Sequence, residues 1–374
     1  MSIFAAHTRD LAGLADRDRL RELVPRAGRD FSSNDYLGMA ASPRLAAAVR
    51  EALDRRVPLG SGGSRLLRGN HAEHEALEEE AARFFGSESA LFFSSGYAAN
   101  AALLSTLPQR GDLVVYDALV HASAHEGMRL GRADCLPAAH NDPDGFADVI
   151  GGWRRAGGTG RVWIAVESLY SMDGDRAPLP ALVALAARHD AFLLIDEAHA
   201  TGVFGPDGRG LAAAHEGAEN VITLRTCGKA LGCEGALLCG PKVMRDFLIN
   251  RGRAFIFSTA PSPLIAATVR EALRMLADEP ERRVRLHGLI AGAAAVLATH
   301  GAAATGSQIV PILLGEDART MRAAQSLQAA GFDVRGIRPP TVPPGTSRLR
   351  ISLTLNVTPD DVSAFGDALG EALA

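Results

Sequence analysis

The segment AFLLIDEAH, residues 191–199, decides the fold class, because an apolar run ends there abruptly in charged residues. Similar short apolar runs recur along the chain: ALFFSS (90–95), DLVVYD (112–117), RVWIAVES (161–168), NVITLRT (220–226) and GALLCG (235–240). Strands that are apolar throughout are typical of a sheet covered on both faces. Segments with helical period, such as LPALVALAARH, separate these runs. The alternation predicts an α/β fold with a large, mostly parallel sheet covered by helices.

The two ends of the chain follow a different pattern and indicate further parts. A charged helix opens the sequence, and an irregular stretch, FSSNDYLG, follows it. After about Ala277, helices alternate with only a few strands, and Thr358 with Pro359 caps the last helix. We therefore predict an N-terminal helix and arm (1–38), a large domain (39–277) and a small C-terminal α+β domain (278–374).

Helix boundaries can be read in the first part of the large domain. Ser42 precedes a proline and a helical pattern, which predicts an N-cap. Asn70 is expected to cap the next helix, HAEHEALEEEAARFF, and Gly86 to end it.

The composition excludes several classes of protein. A net charge of −4 over 374 residues offers no broad basic surface for nucleic acid. The longest apolar run falls short of the roughly 20 residues that cross a bilayer, and the first residues lack the apolar core of a signal peptide. Four cysteines match neither a zinc pattern nor a disulfide framework. We expect a soluble cytoplasmic protein without a metal site.

Lysine usage singles out one residue. Lys229 and Lys242 are the only lysines among 39 basic residues. A lysine amine can lose its proton and attack a carbonyl carbon, whereas the guanidinium group of arginine stays protonated. Lys242 lies at a predicted helix start and fits a surface role. Lys229 lies in a glycine-flanked turn after a strand, and we interpret it as the reactive amine.

Other polar residues follow the strands where ligands bind in open α/β sheets. SSGYAAN (94–100) opens a helix, so the amides of Gly96 and Tyr97 could bind an anion. A tight turn that binds no anion would show the same sequence pattern. Ser171 follows another strand as a hydroxyl donor. Asp196 is either a helix cap or the partner of a protonated heterocyclic nitrogen, such as that of pyridoxal phosphate. His199 could reach the phenolic oxygen of the same ligand.

Two short patterns are also compatible with other types of site. DEAH at 196–199 is also a helicase nucleotide motif, but a Gly-Lys-Ser/Thr phosphate loop is missing, since Ala230 follows Lys229. The pairs His121/His125 and His71/His74 could bind a metal, but neither shows a third ligand. We interpret these histidines as solvated.

The motifs together resemble the α-oxoamine synthases, a branch of the fold-type-I pyridoxal-phosphate enzymes. The resemblance rests on GSGGSR, SSGYAAN, HAS, ESLYSMDGD, IDEAHATGVFG and TCGKALG in that order, and it extends from about Asn34 to Arg350. Residues 337–352, IRPPTVPPGTSRLRIS, are most similar to the branch that acts in biotin biosynthesis.

The resemblance implies a role for each matching residue. Lys229 would hold pyridoxal 5′-phosphate as a Schiff base and act as base, with Asp196 on the pyridine nitrogen. His199 and Ser171 would bind the phenolic oxygen, and His121 would stack over the ring. The further residues it implies are Gly96, Tyr97, Thr226 and, across a dimer interface, Thr259 for the phosphate, Arg350 for the substrate carboxylate, and Arg21 and Thr341 for the acyl part.

The implied reaction is a decarboxylative condensation of L-alanine with a pimeloyl thioester, carried by coenzyme A or an acyl carrier protein. The implied assembly is a homodimer with its active site at the subunit interface. Sister activities are alternatives: condensation of glycine with acetyl-CoA, as in glycine C-acetyltransferase, or of serine with a long acyl chain. A non-catalytic sensor that binds the cofactor is a further alternative. Cys227, Cys233, Glu234 and Ala260 depart from the residues common in the family.

Overall fold

A computed structural model describes residues 2–374, and the chain divides into two compact units. The larger unit consists of residues 37–171 and 176–283. The smaller consists of residues 172–175 and 284–374 together with the described residues up to 36. The predicted three-part division into 1–38, 39–277 and 278–374 remains a prediction.

Thirteen α-helices are present among the described residues. They are α1 Ala5–Ala15, α2 Pro43–Asp54, α3 Ala72–Phe85, α4 Gly96–Thr106, α5 Ala122–Leu130, α6 Pro143–Arg155, α7 Leu179–Arg188, α8 Lys242–Arg251, α9 Arg253–Ile256, α10 Pro263–Asp278, α11 Pro280–Ala298, α12 Asp317–Ala329 and α13 Pro359–Leu373. None of the helices in residues 2–374 is both long and apolar enough to span a membrane.

Twelve strands are present in the same residues. They are β1 Arg29–Asp30, β2 Ser89–Phe93, β3 Leu113–Asp117, β4 Asp134–Ala138, β5 Val162–Glu167, β6 Phe192–Asp196, β7 Val221–Thr226, β8 Ala236–Gly240, β9 Ile309–Gly315, β10 Phe332–Asp333, β11 Arg335–Ile337 and β12 Ser347–Ser352.

The larger unit is built on a seven-stranded sheet with the order β2-β8-β7-β6-β5-β3-β4. All neighbours from β7 to β4 run parallel, and β8 is antiparallel to both β7 and β2. This is the predicted fold class, a mostly parallel sheet covered by helices. Both faces are buried in two apolar clusters. Each fully buried Leu, Ile or Val side chain there contributes about 1.5–3 kcal/mol.

One strand of this sheet escaped prediction. Residues Asp134–Ala138 form the edge strand β4, and they are mostly exposed. Pro137 lies in it, which an edge strand tolerates because one side of the strand needs no donor. The segment therefore lacks the continuous apolar run that marks the central strands.

Helix caps in the larger unit are confirmed in part. Ser42 accepts the N–H of Arg44, as predicted. The cap of α3 is His71 rather than Asn70, because the His71 ring accepts the N–H of Glu73. The Asn70 side chain instead binds Arg65 and Glu75.

The smaller unit holds a three-stranded antiparallel sheet, β11-β12-β9, and the parallel pair β1 and β10. Helices α12 and α13 belong to it. The Thr358 side chain caps α13 by accepting the N–H of Asp361, as the sequence predicts.

Candidate active site

A cavity of about 180 Å³ opens at the carboxyl ends of the parallel strands in the larger unit. Every strand from β3 to β7 runs in the same direction, so the residues that follow their last positions meet at one edge of the sheet. The cavity is lined by Gly96, Tyr97, Asn100, His121, Ser123, Glu167, Asp196, Ala198, His199, Leu224, Thr226 and Lys229.

Lys229 lies in a tight turn between β7 and β8. Its Nζ is 2.7 Å from Nε2 of His199, a hydrogen-bond distance. The turn is closed by a bond from the N–H of Gly232 to the carbonyl of Lys229, 2.8 Å long. Gly232 has φ +64°, and a Cβ there would lie 2.5 Å from the nitrogen of Ala40. Only glycine fits this position, which fixes the path of the lysine turn.

Asp196 ends β6 and uses its two carboxylate oxygens differently. Oδ1 accepts the N–H of Ala198 at 2.9 Å, which is the cap-like role that the sequence left open. Oδ2 accepts Nδ2 of Asn100, also at 2.9 Å, and the side chain lines the cavity. A fixed carboxylate in a partly closed cavity suits a cationic partner.

The beginning of α4 offers donors to an anion. The hydroxyl of Ser95 accepts the N–H of Ala98. The amides of Gly96 and Tyr97 are the first two of the helix, and their N–H groups find no acceptor within residues 2–374. Thr226 Oγ1 lies beside Gly96, 3.9 Å from where a Cβ would stand. Helix amides, a hydroxyl group and the helix dipole together favour a phosphate.

His121 stands at the rim of the cavity. Its Nδ1 is 2.8 Å from the hydroxyl of Ser123, which in turn accepts Nδ2 of Asn100 at 3.0 Å. Partial burial lowers the pKa of His121. The charge of Lys229 acts in the same direction, and Asp196 opposes both. The lowered pKa favours the neutral form of the ring at pH 7.

Ser171 follows β5 and is buried beside the cavity wall. Its N–H donates to Oε2 of Glu167 at 3.2 Å. The structure thus brings Lys229, Asp196 and His199 together with the predicted phosphate donors. Ser171 is not among the lining residues and is bonded to one of them, Glu167.

The sequence analysis missed several lining residues. Asn100 and Glu167 are polar residues inside the motifs SSGYAAN and ESLYSMDGD. Asn100 is the one polar residue between Ala98 and Leu104 in α4, which was a usable signal. Ser123, Ala198 and Leu224 gave no comparable signal.

Two interpretations of histidines can now be judged. His74 is fully buried, not solvated, with Nε2 2.8 Å from the carbonyl oxygen of Pro261. Burial, followed by the charge of Arg65, lowers its pKa to about 4. His125 packs edge-on against Tyr116. Residues 2–374 contain no group of three or more His, Cys, Asp or Glu arranged to hold a metal ion.

Thr259 is exposed and lies on a segment bonded to the glycine-rich loop, residues 60–70. The N–H of Ala260 donates to Gly63 at 2.9 Å, and Ser61 donates to the carbonyl of Ala260 at 2.7 Å. Of the residues that depart from the family, Cys227 is buried, while Cys233 and Glu234 line a separate groove of about 360 Å³.

Three predicted substrate residues belong to the smaller unit. Arg350 on β12 is buried and donates to Ser352 Oγ at 2.7 Å and to Asn34 Oδ1 at 3.2 Å. Arg21 is exposed, and its charge contributes to a lowered pKa of Arg338. The N–H of Thr341 donates to the carbonyl of Arg338.

The cavity fits pyridoxal phosphate by the chemistry of its donors. It combines an amine, a carboxylate that accepts from two donors, and a set of unpaired amides suited to phosphate. These are the three groups that an aldehyde, a protonated ring nitrogen and a phosphate ester require.

The sequence comparisons agree with this chemistry. The chain belongs to the aminotransferase class I and II family, whose model matches residues 28–369. It is 45% identical to the 8-amino-7-oxononanoate synthase of Chromobacterium violaceum over 87% of this chain and 84% of that protein. It is 46% identical to the protein of that name from Geobacter sulfurreducens, over 86% and 82% of the two chains.

Solved structures show the same fold. A serine palmitoyltransferase from S. paucimobilis, with a bound PLP–myriocin aldimine, superposes with a TM-score of 0.89. It is 28% identical and covers 99% of this chain and 97% of its own. The 8-amino-7-oxononanoate synthase of Francisella tularensis gives a TM-score of 0.77 at 26% identity, with coverages of 92% and 97%. The protein is a fold-type-I transferase of the α-oxoamine synthase type, and its cofactor is pyridoxal phosphate.

Proposed function

We propose that this enzyme condenses L-alanine with a pimeloyl thioester to form 8-amino-7-oxononanoate, CO2 and a free thiol in biotin biosynthesis. The observation that carries the proposal is the meeting of Lys229, His199 and Asp196 in one cavity beside the anion-binding end of α4. Curated relatives that are 45% and 46% identical carry the name of this activity.

Bound pyridoxal phosphate supplies an electron sink for negative charge at the substrate Cα. We assign Lys229 as the group that holds the cofactor and moves the proton at Cα. Asp196 would hold a proton on the pyridine nitrogen, and His199 and Ser171 would orient the phenolic oxygen. The amides of Gly96 and Tyr97 would bind the phosphate with Thr226.

The substrates need their own contacts. We assign Arg350 to the carboxylate of alanine, because a guanidinium group can bind a carboxylate through two parallel hydrogen bonds. His121 would stack on the cofactor ring, and Arg21 and Thr341 would contact the acyl part. In the net reaction the Cα of alanine bonds to the thioester carbonyl carbon, the thiol leaves, and the carboxyl group leaves as CO2.

A homodimer with its active site at the interface is part of the proposal, with Thr259 binding the phosphate held by the other subunit. It is supported by exposed apolar side chains on the glycine-rich loop and the segment bonded to it: Leu59, Leu66, Leu67 and Phe257. Such a patch is costly to leave in water and is typical of an interface. The four cysteines are free thiols, which supports a cytoplasmic location.

The test is a screen of amino acids against acyl thioesters, with thiol release as the signal and the thioester on either coenzyme A or an acyl carrier protein. We expect alanine with pimeloyl thioester to give the highest kcat/KM. Faster turnover of glycine with acetyl-CoA, or of serine with a long acyl chain, would assign a sister activity. Cofactor binding without turnover of any pair would indicate a sensor.

A further inference from the structure

Glu167 is a second carboxyl group in the cavity, beside that of Asp196. It is the last residue of β5, and its Cα partner on the neighbouring strand β6 is Asp196. Neighbouring strands lie about 4.8 Å apart, and partner residues of parallel strands point to the same face. Both side chains line the cavity. Two carboxyl groups therefore lie side by side in the lining of the cavity.

The two carboxyl groups have different surroundings. Asp196 accepts from Asn100 and from the N–H of Ala198, both at 2.9 Å. Glu167 is only 3% exposed, and its Oε2 accepts one longer bond, from the N–H of Ser171 at 3.2 Å. Its Oε1 is buried and has no hydrogen-bond partner in the part of the chain that the structure describes. An ionised carboxylate in this position would be poorly compensated.

The charged and titratable groups around Glu167 come from several elements. Asp196 faces it from β6, Lys229 from the turn after β7, His121 from the start of α5, and Tyr170 from the loop after β5. Burial, and next the charge of Asp196, raise the pKa of Glu167 well above its usual value. The charge of Lys229 and the N–H of Ser171 oppose this only in part. Two like charges this close do not both ionise readily.

We propose that Glu167 is a positioning residue, which anchors Ser171 as a neutral carboxylic acid and leaves Asp196 as the anion of the pair. The anchored serine is the one assigned to the phenolic oxygen, so the inference rests on the proposed function. A neutral neighbour also lets Asp196 pair with a cationic ring nitrogen without a competing carboxylate beside it.

The first test uses the cofactor-free protein and compares wild type with Glu167→Gln by urea unfolding across pH. The unfolded glutamate ionises near pH 4.5. Above that pH the native state keeps a proton that the unfolded state has lost, so wild-type stability falls with rising pH until the native pKa is reached. The amide of the variant does not titrate. We expect the ratio of the two unfolding equilibrium constants to change about tenfold per pH unit in this window.

Glu234→Gln is the matched control, because Glu234 is an exposed carboxyl group close to Lys229 in sequence. Its unfolding should follow the wild-type pH profile. If Glu167→Gln also follows that profile, Glu167 is ionised in the native protein and the inference is wrong. This outcome is independent of whether alanine and pimeloyl thioester are turned over, so it cannot be confused with a failure of the proposed function.

The second test measures the dissociation constant of pyridoxal phosphate by its visible absorption. In Glu167→Gln the side chain keeps an acceptor for the N–H of Ser171, so the affinity for pyridoxal phosphate should fall less than about threefold. Glu167→Ala removes the acceptor, and the affinity should fall about tenfold. If Glu167→Gln loses as much affinity as Glu167→Ala, a negative charge is required there and the positioning role as a neutral acid is refuted.

Discussion

Asp196 and Glu197 are neighbours in sequence but belong to two very different polar regions. Asp196 faces the cavity of about 180 Å³ that holds Lys229 and His199. Glu197 is fully buried in a charge cluster with Arg225 and Glu216. That cluster leaves no free space, since a Cβ on Gly210 would lie 1.5 Å from Oε2 of Glu197.

In the closed cluster one guanidinium group faces two carboxyl groups, and burial raises the pKa of Glu197. Arg225 is fully buried, lies 3.6 Å from Glu197 Oε2, binds Glu216 and stands 4.0 Å above the ring of Phe85. In the cavity, by contrast, an amine, a carboxylate and unpaired amides face open space. The difference indicates that the cluster stabilises the ends of β6 and β7, while the groups of the cavity are available to a ligand.

The largest expected effect is a loss of activity on replacement of Lys229 but not of Lys242. Lys229→Ala should lower kcat/KM by about 10⁴-fold or more, because it removes both the attachment of the cofactor and the proton-transfer group. Borohydride should no longer fix pyridoxal phosphate to the protein. Lys242→Ala is the control, since that residue is exposed at the start of α8 and should match wild type. Turnover that survives in Lys229→Ala would contradict the proposed function.

Removal of the cation from the closed cluster should act on stability instead. Arg225→Met leaves Glu197 and Glu216 buried without their partner, and the free energy of unfolding should fall by about 3–5 kcal/mol. Urea denaturation of the cofactor-free protein measures this. Lys229→Ala should lose less than about 1 kcal/mol in the same experiment, in line with small effects outside packed or charge-paired sites. Equal losses in both variants would remove the distinction between the two regions.

Asp196→Asn changes the charge in the cavity with little change of shape. We expect kcat to fall about 10²-fold, because a preorganised charge partner of the ring nitrogen is lost. Stability without cofactor should stay close to wild type. If the variant keeps full kcat, the role of Asp196 is limited to its structural hydrogen bond with the N–H of Ala198.

The smallest effect concerns pH and His121. Burial lowers the pKa of His121 from its usual 6.5. Below pH 6.5 the unfolded state binds a proton that the native ring resists, so this contribution to stability is present above pH 6.5 and is lost as pH falls toward the native pKa. His121→Asn should flatten that part of the stability profile, and Arg225→Met should leave it in place. An unchanged acid profile in His121→Asn would show that the ring is protonated like a free histidine.

Much of the architecture followed from local patterns. The central strands were predicted from apolar runs, since a strand covered on both faces has to be apolar at every position. The edge strand Asp134–Ala138 was missed because an exposed strand is free of that requirement. The N-cap at His71 was missed because asparagine, the residue type at position 70, is a common N-cap, whereas histidine is not.

The sequence by itself determined the fold class, because burial on both faces dictates apolar strands. It also singled out Lys229 as the predicted reactive amine, because a lysine can do chemistry that an arginine cannot. Only the tertiary structure decided which polar residues meet. Asn100 and Asp196 are 96 positions apart and are bonded because β2 and β6 end at the same edge of the sheet. Asp196 and Glu197 are adjacent, yet successive side chains at a strand end point to opposite sides, so one faces the cavity and the other the buried arginine.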